Sequence, residues 1–131
     1  MQSDTREMQQ ALHEGLCCSQ ALILMALRRR GEENPSLLDA VSGLCMGMHG
    51  GQICGTLTAA CLALALFDPK NAAAHMIPEF VEWFEQEYGS RYGGTDCMSI
   101  TGGSLQMARC REIVCESWNK VAGQLAEFGF D

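Results

Sequence analysis

Apolar residues recur along this chain at helical rather than strand spacing. Met8, Leu12 and Leu16 share one face of a first segment, with Ser3-Asp4 as its N-cap. Gly15 breaks that segment. A second stretch, Leu16 to Arg30, sets Cys18, Ala21, Leu22 and Met25 at helical intervals, and Gly31 is a C-terminal stop. Asn34 as N-cap and Pro35 at the first helical position restart the chain. Leu37, Leu38, Val41 and Leu44 follow, and the pattern then dissolves into Gly47-Met48-His49-Gly50-Gly51. Ile53 to Phe67 is apolar nearly all round, which predicts the most buried helix. Asp68-Pro69 ends it. From Asn71 to Tyr88, Phe80, Val81 and Phe84 oppose Glu79, Glu82, Glu85 and Glu87, with a kink expected at Pro78. Residues 89–103 read as a glycine-rich loop with Cys97 in its middle. Ser104 caps a last helix from Leu105 to Glu127. No segment alternates with period two, and no repeat is present. The expectation is an all-α, single-domain bundle over residues 1–131. It has about five helices, with a glycine-rich loop before the central one.

Composition narrows the class. At 47% hydrophobic and 19% charged residues, the chain is an ordinary globular sequence and not a disordered one. A net charge of −7 leaves no basic field for nucleic acid. The one basic cluster, Arg28-Arg29-Arg30, sits at a helix end, where it complements the dipole. The N-terminus carries no charged segment followed by an apolar one, so no secretory leader is read there. The longest apolar run, Ile53–Phe67, is too short to span a bilayer and is interrupted by Gly55, Thr56 and Thr58. A cytoplasmic protein without membrane insertion is expected. There, eight cysteines point to metal or redox chemistry rather than to a disulfide framework. The bland alternative is buried thiols acting as small hydrophobes.

Helical geometry sorts these cysteines. The last helix puts Met107, Cys110, Val114, Trp118, Val121, Leu125 and Phe128 on one face, so Cys110 points inward and Cys115 lies off the stripe. Cys54 and Cys61 share a face of the central helix but stand about 10 Å apart along it, too far to share one small centre. Cys54, at the helix start, is the better thiolate, and Cys61 reads as core. Cys17 and Cys18 diverge by about 100°. Only Cys18 joins the apolar face, which leaves Cys17 beside the site or exposed. Cys97 lies on a loop able to fold over a cofactor. No CxxC pair exists, so a sequence-local zinc finger is not expected, while a site assembled from distant helices stays open. Among the histidines, His13 reads as solvated and His75 as packing. His49, four residues after Cys45, is a candidate ligand or proton carrier. Met46 and Met48 flank it and would suit Cu(I). Neither a P-loop nor a nucleophile elbow nor a dinucleotide fingerprint is present.

The same residues carry a family resemblance. Glu14-Gly15-Leu16-Cys17-Cys18-Ser19-Gln20-Ala21 resembles the opening "G-x-N-C-A-Q-A" of the C_GCAxxG_C_C family, with Cys18 as the family cysteine. Gly43 to Ala60 resembles that family's glycine-rich segment ending in "C-G-A-x-x-G". Cys54-Gly55 match it, Thr56 replaces the alanine, and Ala59 replaces the glycine. Asp96-Cys97-Met98-Ser99-Ile100-Thr101-Gly102 resembles "N-C-R-x-L-T-G", and Cys110-Arg-Glu-Ile-Val fits the last cysteine. The resemblance implies a small helical protein with a cysteine-based redox or metal site made by Cys18, Cys54, Cys97 and Cys110. Cys17, Cys45, Cys61 and Cys115 are additions to that pattern, and Cys17, Cys45, Cys115 and His49 are auxiliary candidates.

Three functions are open to test. Four thiolates from separate elements can hold an iron–sulfur cluster or run thiol–disulfide exchange with Cys54 as attacker. Either use would make the protein an electron-transfer or oxidoreductase accessory with a redox partner protein. The second is Zn or Cu(I) binding and delivery without electron transfer. The third is a partner-binding bundle with buried cysteines. An open cysteine face also allows a homodimer.

Overall fold

The computed structural model describes residues 2–103 and 107–130. The chain folds as an all-α protein, with no strand among the described residues. Helix α1 is Gln2–His13 and α2 is Cys18–Arg30. Gly15, at φ +105°, makes the expected break between them. Asp4 lies inside α1 rather than capping it, and its carboxylate accepts from the buried Trp118 indole N–H at 2.9 Å. Gly31 closes α2 in the left-handed conformation, its N–H on the Arg28 carbonyl at 3.0 Å. Helix α3, Pro35–Val41, starts as expected, with the Asn34 side chain accepting from the Leu37 N–H at 3.0 Å.

The central helix α4 is Gly55–Phe67. It starts two residues after Ile53, because Ile53 pairs in an isolated antiparallel bridge with Asp96. Fully buried Ala59, Ala60 and Ala63 let neighbouring helices come close to α4, chiefly α2 and the last helix. α4 is not buried all round, however. Leu62 is 43% exposed and Cys61 is only partly buried, so the core assignment of Cys61 does not hold. Asp68 both ends α4 and caps the next helical turn, accepting from the Asn71 N–H at 3.1 Å.

Helix α5 spans residues 69–92 as one run with two wide turns, Ala72–Met76 and Glu85–Gly89. The first wide turn lies directly before Pro78, and the helix continues through a proline whose missing N–H would break a regular ladder. Its inner face carries the fully buried Phe80, Phe84 and Tyr88. Part of the expected loop over 89–103 is helical: α6 is Cys97–Thr101, capped by Asp96. The last helix, α7, is Met107–Glu127. The expected cap at Ser104 and start at Leu105 lie outside the described residues. Trp118, Val121 and Leu125 form its buried stripe.

The three arginines ending α2 are all engaged within the fold. Arg28 pairs with Glu7 at 3.2 Å, Arg29 donates to the Phe130 carbonyl, and Arg30 pairs with Glu32 at 2.7 Å. No helix among the described residues is long and apolar enough to cross a membrane.

Candidate thiol site at the start of the central helix

Four segments that are remote in sequence meet at the N-terminal end of α4. Two glycines set how closely. A Cβ on Gly55 would fall on the Ser19 hydroxyl and stand 2.7 Å from the Leu44 carbonyl oxygen. Only glycine therefore lets the start of α4, and Cys54 before it, rest on the start of α2 beside Cys18. A Cβ on Gly47 would lie 2.5 Å from the Gln52 nitrogen and 2.9 Å from the Cys97 Cβ. Gly47 is thus what lets the glycine loop lie on α6. Two backbone bonds then join the segments ahead of α4 and α6: Cys54 N–H to the Thr95 carbonyl at 3.1 Å, and Cys97 N–H to the Gln52 carbonyl at 2.6 Å. Arg109 holds the start of α7 against α6. It donates to the Ile100 carbonyl and lies 4.6 Å over the Tyr92 ring.

The result is a cavity of about 260 Å³. Cys18, Cys54, Cys97 and Cys110 all line it, and so do Cys17 and Cys45. Leu12, Leu16, Ile100 and Ile113 make much of its apolar wall. Ser19 lines it too, its hydroxyl buried and without a hydrogen-bond partner. Cys61 and Cys115 are not among the lining residues. Cys115 packs at the edge of the core, as the helical face predicted. His49 stays outside as well. It is exposed, and its Nε2 lies 2.8 Å from the Ser42 carbonyl oxygen. His75 is exposed and stacks on Phe128.

Sequence reasoning missed the pairing of Cys17 with Cys45, which form a disulfide with Cα atoms 5.9 Å apart. The remaining six cysteines are thiols. Cys17 is the N-cap of α2, and Cys45 follows the short turn Ser42–Leu44. Nothing local marks them as partners across 28 residues. The chain just after Cys45 is strained. Met46, Met48 and His49 all have φ near +58°, within 57–59°, a region costly for residues with a Cβ.

The thiols share an electrostatic problem. Cys18 is raised well above an ordinary thiol, first by its hydrogen bond with the Cys110 side chain, then by burial and by repulsion from Cys110 and Cys54. Burial raises Cys54, and the Thr56 and Leu57 N–H groups offset this only in part. The helix start was expected to lower Cys54, but desolvation is the larger effect here. Cys97 is also raised, by burial and then by Cys110. Among the described residues, no three His, Cys, Asp or Glu side chains converge tightly enough to hold a metal ion.

The family model described as "Putative redox-active protein (C_GCAxxG_C_C)" matches residues 16–123, and the chain belongs to that family. The match takes in all eight cysteines. No curated protein and no solved structure matches the chain.

Proposed function

We propose that Cys18, Cys54, Cys97 and Cys110 form a redox site that works by thiol–disulfide exchange within the cavity. The observation that carries this reading is the convergence of four thiols from four separate elements on one space, beside a disulfide. Buried thiols that merely filled a core would be close-packed. These border a cavity several times the volume of a water molecule. The Cys18 thiol donates to the Cys110 backbone carbonyl at 3.9 Å, which sets these two residues side by side at the cavity wall. Joining them forms one S–S bond and releases two electrons and two protons to a disulfide acceptor, which becomes a dithiol.

The test is to equilibrate the protein in dithiothreitol buffers of graded poise, quench with acid, alkylate and map the disulfides by mass spectrometry. The four thiols should pair reversibly over a defined range of potential. If all four stay alkylatable at every poise, the exchange reading is wrong.

A second reading, a soft-metal or iron–sulfur site, is favoured by the repulsion among these thiols. A cation would relieve the penalty that Cys110 imposes on Cys18, Cys54 and Cys97. The donor set suits it: four thiols, with the orphan Ser19 hydroxyl able to donate to a sulfur anion. Cys18, Cys54, Cys97 and Cys110 would hold the group, and bound iron–sulfur would supply one-electron transfer. Among the described residues no three such side chains converge on one ion, so the side chains would have to turn. Anaerobic reconstitution of the fully reduced protein, with ferrous iron and sulfide and in parallel with zinc, separates the readings. A brown protein with stoichiometric iron supports a cluster, a colourless zinc-loaded one supports metal delivery, and neither supports exchange.

A further inference from the structure

We propose that the Cys17–Cys45 disulfide is the port through which an outside protein dithiol exchanges electron pairs with the cavity thiols, with Cys18 as the relay. This rests on the reading of the cavity thiols as a redox set, but it concerns two cysteines that lie outside the four-cysteine pattern.

Three observations carry it. The disulfide lines the same cavity as the four thiols, and Cys17 is chain-adjacent to Cys18. The two ends of the disulfide differ in access: Cys17 is partly exposed, whereas Cys45 is 7% exposed. An outside thiol therefore meets Cys17 first, and an inside thiol meets Cys45. Finally, the two sulfurs ride on unlike backbone. Cys18 opens a regular helix, whereas Cys45 leads into the left-handed turn at Met46, Met48 and His49. When the S–S bond opens, the segment free to move is the strained one.

The exchange balances without an added oxidant. Because the fold holds Cys18 neutral, the first step quickens in alkali: the Cys18 thiolate, once formed, attacks Cys45 Sγ, forming Cys18–Cys45 and expelling the Cys17 thiolate. Cys110, whose backbone carbonyl accepts from the Cys18 thiol at 3.9 Å, then attacks Cys18 Sγ, forming Cys18–Cys110 and expelling the Cys45 thiolate. The two protons given up by Cys18 and Cys110 end on Cys17 and Cys45. The outer disulfide has been reduced and the inner pair oxidised. Run backwards, the same steps reduce the inner pair. The partner, a protein dithiol, attacks Cys17 Sγ and leaves as its own disulfide, with both electrons and both protons passed to Cys17 and Cys45.

Two variants test the port. In Cys110→Ser the second step cannot occur, so prolonged alkylation should trap the Cys17 thiolate each time the first step expels it, leaving the mixed disulfide Cys18–Cys45 in the mass map. Finding only Cys17–Cys45 there overturns the relay. In Cys17→Ser/Cys45→Ser, checked for folding by circular dichroism, reduction of the oxidised inner pair by dithiothreitol should slow by at least about tenfold. An unchanged rate, with the inner pair still forming, removes the port and leaves the redox reading standing. If the wild-type inner pair never forms at any poise, both fall together.

Discussion

Gly55 rests directly on Ser19: its Cα leaves no room for a side-chain carbon between the start of α4 and the Ser19 hydroxyl. This contact joins α2, which opens with Cys18, to α4, which Cys54 precedes, and among the described residues these two helices pack on each other more extensively than any other pair. The rest of the cavity depends on that approach.

Gly55→Ala should therefore both destabilise the protein and loosen the site. Overpacking at a backbone contact costs about 1–3 kcal/mol, and here the far side is partly the Leu44 carbonyl, which cannot rotate away. The urea midpoint should fall accordingly, and Cys54 should react faster with a bulky alkylating agent. An unfolding free energy within about 0.5 kcal/mol of wild type would show that the two helices shift apart at little cost.

The Cys17–Cys45 disulfide should contribute measurably to stability. Closing a loop across 28 residues is worth about 3.5 kcal/mol on chain-entropy grounds. Urea unfolding with and without reductant should show a loss of that order for wild type and almost none for Cys17→Ser/Cys45→Ser. Equal losses in both proteins would place the reductant's effect elsewhere.

Local signals carried much of the architecture. Gly31 and the Asn34-Pro35 pair end and start helices as read, because caps are built from neighbouring residues. The inward Cys110 and peripheral Cys115 came from the 100° rotation alone. What failed depended on tertiary context. An all-apolar α4 does not say which face its neighbours leave uncovered, so the partial exposure of Cys61 and Leu62 was not legible. Glycines around Cys97 suggested a loop, but the Asp96 cap on the Ser99 N–H at 2.9 Å is enough to close a short helix. The Cys17–Cys45 pairing joins residues 28 apart that come together only through the packing of their elements, which no local signal encodes. Cys54 was read from its place at a helix start, whereas its surroundings decide its ionisation.

Asp4 ties α1 to the far helix α7. Its carboxylate accepts from the indole N–H of Trp118, which is 1% exposed. Asp4→Ala leaves that N–H buried and unpaired, at a cost of about 1–3 kcal/mol. Asp4→Asn keeps an acceptor and should recover most of it. Chemical unfolding followed by tryptophan fluorescence reads both variants. Equal midpoints for the two would mean that the bond adds nothing beyond packing.

The cavity thiols should also make the fold sensitive to alkali. Cys18 and Cys54 are raised above the ordinary thiol value of 9.0, Cys18 chiefly by its hydrogen bond with Cys110 and Cys54 chiefly by burial. A group raised in the fold stays a neutral thiol there after its unfolded counterpart has ionised. Its stabilising contribution is complete below the ordinary value and is lost as pH climbs from there through the folded value. The melting temperature of the wild type under reducing conditions should therefore begin to fall near pH 9, the ordinary thiol value. Cys54→Ala lacks one of these ionisations and should fall less steeply, so the gap between the two proteins narrows with alkali. Thermal scans from about pH 7 to about pH 11 measure that gap directly. A gap that stays constant over this range would show that Cys54 ionises alike in both states and is not desolvated in the fold.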